Sequence, residues 1–151
     1  MRVDFYQLGA IPIEQVILSL AEKLLAQEER LLVVCAEEAQ VARIDRVLWD
    51  QGRASFLPHD AVGGSEDSRQ PILLSVNADA ANGARNLLIA DGKWREAALA
   101  FNRAFYLFDE HTLEEAREAW RALAKREDVE SHYWANENGR WAEKASSRAP
   151  A

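Results

Sequence analysis

Apolar residues follow two different spacings along the chain, and the alternation between these spacings predicts the fold class. From Ile13, apolar side chains recur every three or four positions, as on one face of a helix. The stretch RLLVVCA at 30–36 is apolar throughout, as in a strand covered on both faces. Similar patterns predict further strands at 3–8, 71–76, 86–91 and 103–109, and further helices at 37–52, at 93–102 and after residue 112. This alternation predicts a Rossmann-like, open, mainly parallel α/β sheet with helices on both faces.

Local signals mark several boundaries of these elements. Thr112 and Glu115 have the T-x-x-E spacing of a capping box at the start of the last helix. Residues 130–144 read as two short strands around Asn-Gly, which favours a tight C-terminal hairpin. Residues 53–70 read as a loop with a short apolar piece. We therefore predict one α/β domain over 1–144 and a flexible tail at 145–151.

Composition restricts the partners that the chain can have. The 151 residues carry a formal charge of −7, so general binding to DNA phosphates or anionic membranes is not expected. An anionic partner would have to meet a local basic patch. No segment is long and apolar enough to cross a bilayer, and the N-terminus lacks a signal-peptide pattern, so we expect a cytoplasmic protein. The single cysteine, Cys35, is predicted to be a buried thiol.

The sequence shows no pattern of a catalytic, metal or cofactor site. LGAIPIE, after the first strand, has one glycine and no lysine, so it matches neither the G-x-G-x-x-G pattern nor the P-loop. The histidines His59, His111 and His132 are far apart in sequence, and one cysteine cannot build a zinc site. We therefore predict no catalytic residues, no metal and no cofactor. The alternative, a small cytoplasmic nucleotide-dependent α/β enzyme, stays open because missing motifs do not exclude activity.

The helix sequence EEAREAWRALAKRE at 114–127 places cations beside an aromatic residue. Arg117, Arg121 and Lys125 are spaced by four, and Arg117 falls at the margin of the apolar stripe that contains Trp120. One interpretation makes Trp120 a core anchor and pairs the arginines with neighbouring glutamates. The other is that guanidinium groups and apolar surface together receive a short anionic peptide.

Several segments resemble one known family over about residues 3–143. These segments are DFYQL, LLVVCAEEAQVARIDRVLW, SFLPH, FYLFD, AREAWR and HYWANENGRW, and their order and spacing are specific together. On these residues the chain resembles the chi subunit of the bacterial DNA polymerase III holoenzyme. The resemblance implies a non-enzymatic α/β protein related to nucleotide-binding folds but without the phosphate loop.

The resemblance also implies partners and a binding pocket. Chi proteins bridge the clamp loader, commonly through the psi subunit, to the acidic C-terminal tail of the single-stranded-DNA-binding protein. The tail pocket of the family matches Arg117, Trp120 and Arg121, with the preceding strand near Tyr106 as its apolar wall. The family often has Tyr and Lys where this chain has Trp120 and Arg121, and these departures keep the aromatic and cationic character.

A second surface is implied around RVLW and SFLP. Phe56 matches a family aromatic that is tied to binding psi or an accessory helicase, and Trp49 lies close to it in sequence. Both residues have a second interpretation as core residues. Trp49 continues the apolar side of its helix, whereas Phe56 lies in the loop between polar residues.

Overall fold

The computed structural model describes residues 1–51, 59–61, 70–79 and 82–147, and it has one sheet with helices on both sides. Three α-helices are described: α1 (Ile13–Ala26), α2 (Glu38–Gln51) and α3 (Leu113–Ala124). The strands are β1 (Arg2–Gln7), β2 (Leu31–Val34), β3 (His59–Ala61), β4 (Ile72–Ser75), β5 (Asn86–Ile89), β6 (Arg103–Phe108), β7 (Glu130–Glu137) and β8 (Arg140–Ser147). The predicted helix at 93–102 is a short 3₁₀ helix, Glu96–Ala100.

The sheet has the order β3-β4-β2-β5-β6-β1-β7-β8. All neighbouring strands are parallel except β7 and β8, which form an antiparallel hairpin. The first strand therefore lies between β6 and β7, far from β2 in the sheet. The prediction of a mainly parallel α/β sheet with a C-terminal hairpin is confirmed.

Alternating side chains on the strands divide the core into two layers. On one face, α1 and α2 cover residues such as Tyr6, Leu31 and Val33; we call this the α1–α2 face. On the other, the 3₁₀ helix and α3 cover residues such as Phe5 and Leu32; we call this the α3 face. Burial on both faces explains why β2 is apolar without interruption.

The C-terminal hairpin turns where the sequence predicts, but its second strand is longer than predicted. Asn138 and Gly139 both have positive φ angles, of 51° and 84°, as a two-residue type I′ turn requires. Strand β8 continues through Ala145 to Ser147, three residues that we assigned to a flexible tail. These residues stay ordered because they pair with Ser131–Tyr133 of β7. Residues 148–151 lie outside the described residues.

The predicted capping box at the start of α3 does not form. Thr112 occupies the N-cap position, but its side chain makes no capping hydrogen bond to the helix. Its hydroxyl oxygen instead accepts a hydrogen bond from the backbone N–H of Asp109 at 3.0 Å. The Asp109 carboxylate accepts the N–H groups of His111 and Thr112 at 2.9 and 3.2 Å. The Thr112 hydroxyl, which the local spacing assigns to the helix cap, is therefore used in the polar turn before the helix.

The segment predicted as a loop at 53–70 contains one short strand. The three residues of β3 pair in parallel with β4 at the edge of the sheet. Three residues with one histidine and one aspartate give no strand pattern in the sequence, so only pairing with β4 reveals this element. In the described segments, no helix has the length and apolarity needed to cross a membrane.

Candidate functional site: an aromatic pocket with a cationic rim

Helix α3 lies close to the sheet because its buried face is made of small residues and one leucine. Ala116, Ala119 and Leu123 are buried against the α3 face of the sheet. Helical spacing also predicts Ala124 on the apolar stripe, but Ala124 is exposed and Ala119 is buried instead. Trp120 is half-buried at the margin of this contact. The helix therefore presents one aromatic ring and a row of cations beside a gap over the sheet.

This gap is a pocket of about 460 Å³ between α3 and the β1–β7–β8 side of the sheet. We call it the tail pocket, after the family pocket that the resemblance implies at this helix. Its lining combines aromatic rings, small apolar side chains and two guanidinium groups. The lining residues are Phe5, Gln7, Phe108, Leu113, Ala116, Arg117, Trp120, Arg121, Tyr133 and Ala145.

The floor of the tail pocket is an aromatic cluster that locks Trp120 in place. The Trp120 ring meets Phe5 edge-on, with ring centres 5.2 Å apart, and meets Tyr133 edge-on at 6.4 Å. Phe108 lies 6.0 Å from Tyr133. The Tyr133 hydroxyl donates a hydrogen bond to the side-chain carbonyl of Gln7, and burial raises the pKa of that hydroxyl. The floor thus offers apolar surface with a fixed shape.

The rim of the tail pocket is positively charged and open to solvent. The Arg117 side chain is 60% exposed and donates to Glu114 at 3.2 Å. The Arg121 Nε donates to the backbone carbonyl of Arg117 at 3.3 Å, and both arginines line the pocket. Lys125 continues this row at the C-terminal end of α3, where a cation is favoured by the helix dipole. An exposed pair such as Arg117–Glu114 contributes little to folding, so its arginine can exchange partners at low cost.

Tyr106 does not line the pocket, although the resemblance implies an apolar wall near this residue. Its side chain is completely buried, packs on Phe5 at 5.1 Å and donates a hydrogen bond to the Gly92 carbonyl. Phe108, two residues further along β6 on the same face, takes the wall position. The floor covers Tyr106 because that residue lies in the middle of the strand, whereas Phe108 lies at its carboxyl end.

Sequence reasoning missed Phe5, Gln7, Phe108, Tyr133 and Ala145 as pocket residues. The period of two along β6 already places Phe108 on the same face as Tyr106, so this residue had a usable signal. The others depend on the order of the strands. Phe5 pairs in register with both Tyr106 and Tyr133, and no local pattern reveals this arrangement.

Of the second predicted surface, the structure describes Trp49, which lies away from the tail pocket. Trp49 lies on α2, which packs on the α1–α2 face, and its side chain is 59% exposed. Trp49 is therefore not a core residue, and its contact role stays a prediction. Phe56 lies outside the described residues. The structure thus separates Trp49 from Arg117 and Trp120 by the full thickness of the sheet.

A second cavity, of about 470 Å³, opens at the carboxyl ends of β1, β2, β5 and β6. Open α/β sheets usually bind ligands at this location. Here the lining includes three carboxylates, of Glu37, Asp91 and Asp109, against one cation, Arg43, and Asp91 is already paired with Arg95 at 2.7 Å. Carboxylates at this position oppose a phosphate group. In the part of the chain that the structure describes, no cluster of His, Cys, Asp and Glu could hold a metal ion.

Comparisons with known proteins identify the family of the chain. The family model for the DNA polymerase III chi subunit, HolC, matches residues 1–129. The chain belongs to the DNA polymerase III chi subunit family. A subunit chi from Escherichia coli (strain K12) is 26% identical over 117 residues, covering 76% of this chain and 80% of that protein. One from Pseudomonas aeruginosa is 37% identical over 91 residues, covering 58% of this chain and 62% of that protein.

Family membership gives this chain an accessory role in DNA replication, in association with other components of the polymerase III holoenzyme. Such a role fits a chain without catalytic motifs. The match ends at residue 129, so the floor residue Tyr133 and all of β8 lie beyond it.

Proposed function

We propose that this chi-family protein connects the clamp loader to the acidic C-terminal tail of the single-stranded-DNA-binding protein. The tail pocket is where the tail would bind. An apolar terminal side chain would fill the space between Trp120, Phe108 and Tyr133. Its carboxylate would accept hydrogen bonds from Arg117 and Arg121.

One observation carries this proposal. A chain with a net charge of −7 places two adjacent, exposed guanidinium groups on the rim of an aromatic pocket. A long polyanion would be repelled by the acidic surface around this pair. The pair instead fits a short ligand with an apolar end and a free carboxylate. The negative body also disfavours direct adhesion to the DNA that the tail-bearing protein coats.

Removal of Arg117 tests the proposal directly. We expect Arg117→Ala to weaken binding of an Asp-rich peptide with a terminal apolar residue by roughly 1.5–3 kcal/mol, because charge-assisted hydrogen bonds are lost. Binding should also weaken as salt is raised, since part of the attraction is screened. Fluorescence anisotropy with a labelled peptide measures both effects.

Arg46→Ala is the matched control. Arg46 is also exposed and also paired along its helix, with Asp50 at 3.8 Å, but it lies on α2, which packs on the opposite face of the sheet. It should leave peptide affinity nearly unchanged. A folded Arg117→Ala protein that binds the peptide as tightly as the Arg46→Ala protein would rule out this pocket.

We propose that the clamp-loader side of the protein is the surface around Trp49, with Phe56 nearby in sequence. Its partner there is the psi subunit or another clamp-loader component, and an accessory helicase is a further candidate. A bridging protein must hold both partners at once, and the sheet separates this surface from the tail pocket. A 59% exposed tryptophan can supply the central anchor of such an interface.

Truncation of Trp49 separates the two surfaces. We expect Trp49→Ala to weaken binding of the clamp-loader partner by about 2 kcal/mol or more, as for other aromatic anchors, while peptide binding is retained. The melting temperature should change little, because an exposed side chain leaves no core cavity. Loss of both partners together, or a large fall in melting temperature, would contradict two independent surfaces.

A further inference from the structure

Strand β8 borders the tail pocket at one end and continues away from it on the same face of the sheet. Ala145 lines the pocket and pairs in register with Tyr133 of the pocket floor. Further along the hairpin, Ala142 pairs with Ala135, and Arg140 pairs with Glu137. Because alternate residues of β7 share a face, Tyr133, Ala135 and Glu137 lie on the same side. We call the strip from Ala145 to Arg140 the hairpin track.

Two cations belong to the hairpin track. The register changes between Tyr133 and Trp134, whose partners are Ala145 and Glu143, so Lys144 is the extra residue of a β-bulge. The Lys144 ammonium contacts the Glu137 carboxylate, which places this charge on the track. Arg140 is exposed at the far end and makes no ion pair with any other described residue.

We infer that the hairpin track is a second part of the peptide site, which binds the acidic residues that precede the end of the tail. This inference rests on the proposed function of the tail pocket. Lys144 and Arg140 would meet carboxylates of the bound peptide outside the pocket, whereas Arg117 and Arg121 hold its terminus. The track lies within residues 130–147, beyond the part of the chain that the family model matches.

The dimensions and side chains of the track suit an extended acidic peptide. Ala145 and Arg140 face Tyr133 and Glu137, which are four positions apart on β7, or about 13 Å at the rise of a strand, and about four extended peptide residues span this length. Ala135, Ala142 and Ala145 are small, so a peptide backbone can approach the sheet closely. Regular strand addition to the outer edge of β8 fits less well, because the bulge at Lys144 interrupts that edge.

Glu137 competes with the peptide for the track. It neutralises Lys144 in the free protein, and its charge repels an acidic ligand. A peptide carboxylate would therefore have to replace Glu137 as the partner of Lys144. Removing the charge of Glu137 should strengthen binding, which a purely structural role of the Lys144–Glu137 pair does not predict.

Two peptides distinguish the track from the pocket. The short peptide has the four terminal residues with a free carboxylate, and the long peptide adds six residues that include several Asp. At low salt, the double variant Arg140→Gln/Lys144→Gln should lower affinity for the long peptide about three- to tenfold and leave the short peptide unchanged, given typical exposed charge pairs. Glu137→Gln should raise affinity for the long peptide about two- to fourfold and leave the short one unchanged.

Matched variants remove effects of net charge. Lys23→Gln/Arg46→Gln removes the same two positive charges from exposed positions on α1 and α2, and Glu38→Gln matches Glu137→Gln. These controls should not change the affinity ratio of the two peptides. If track variants and controls change long-peptide affinity equally, or if Glu137→Gln weakens it, the track is refuted while the pocket stands. If Arg117→Ala leaves the short peptide bound as before, the proposed function itself fails.

Discussion

Asp4 is a charged residue in the middle of β1, and its carboxylate is completely buried. Arg103 Nε donates to it at 2.8 Å, Trp134 Nε1 at 2.9 Å and Arg2 Nε at 3.1 Å. Burial alone would raise the pKa of Asp4, but the hydrogen bonds from Arg2, Trp134 and Arg103 outweigh it and lower the pKa. The residue thereby connects the same three strands, β1, β6 and β7, that carry the floor of the tail pocket.

We expect Asp4→Asn to lower the free energy of unfolding by about 2–4 kcal/mol at pH 7, because the two arginines lose their shared anionic partner. The folded-state pKa is lowered, so the contribution of the carboxylate is complete above its ordinary value of 3.8 and is lost as pH falls through the folded pKa. Urea unfolding at pH 7 and pH 3 should therefore show a smaller difference between the variant and the parent protein at pH 3.

Asp50→Asn is a suitable comparison for Asp4→Asn. Asp50 also pairs with an arginine, but its side chain is 66% exposed. Its replacement should change the free energy of unfolding by less than about 0.5 kcal/mol, as usual for surface pairs. An Asp4→Asn protein as stable as this control at pH 7 would show that the buried carboxylate does not stabilise the three strands.

At the scale of elements, the position of α3 depends on the loop that follows β5. Gly92 has a φ of +72°, and a Cβ atom there would lie 2.6 Å from the Thr112 side chain at the start of α3. The Gly92 carbonyl also accepts the hydrogen bond of Tyr106. Any side chain at this position must therefore move the first turn of α3, which carries the pocket residues Leu113, Ala116 and Arg117.

Gly92→Ala and Gly83→Ala separate this clash from backbone strain. Gly83 has a similar φ of +69°, but a Cβ atom at that position would have nothing within 4 Å. We expect Gly83→Ala to cost about 1–2 kcal/mol from strain alone and to keep peptide binding. Gly92→Ala should lower the free energy of unfolding by more than Gly83→Ala does, and it should also weaken peptide binding. Thermal unfolding and peptide anisotropy measure the two effects, and equal results for both variants would contradict the role of Gly92 in placing α3.

At the scale of the whole molecule, the net charge bears on whether the protein binds DNA directly. The net charge is −7, and the cations of the tail pocket occupy only one margin of α3. Neutralising several phosphates at once needs a broader basic surface. The protein should therefore reach DNA through the tail of the single-stranded-DNA-binding protein.

We expect the isolated protein to bind naked single-stranded DNA only weakly at physiological salt. Electrophoretic mobility shift and anisotropy with an unstructured oligonucleotide measure this directly. Addition of the single-stranded-DNA-binding protein should recruit the chain, and a version of that protein without its tail should not. Tight binding of naked DNA by the pure protein would contradict this prediction.

The sequence alone determined the elements whose signals are local. The helical spacing after Ile13, the apolar run at 30–36 and the Asn138–Gly139 turn each report a preference of nearby residues, and the structure confirms a helix, a strand at Leu31–Val34 and a turn there. The cations of α3 were visible in the same way, because residues four apart lie on one side of a helix. The same spacing placed Trp120 beside the cations, and the family resemblance implied that it shares a pocket with Arg117 and Arg121.

Only the tertiary structure decided which strands meet beneath α3. More than a hundred residues of sequence separate Phe5 from Tyr133. These two residues and Phe108 form one floor because β1 lies between β6 and β7. That order also buries Tyr106, leaves Trp120 half-exposed and brings β8 to the edge of the pocket. Strand order is set by the packing of the whole core, and the local periods of two and 3.6 residues carry no information about it.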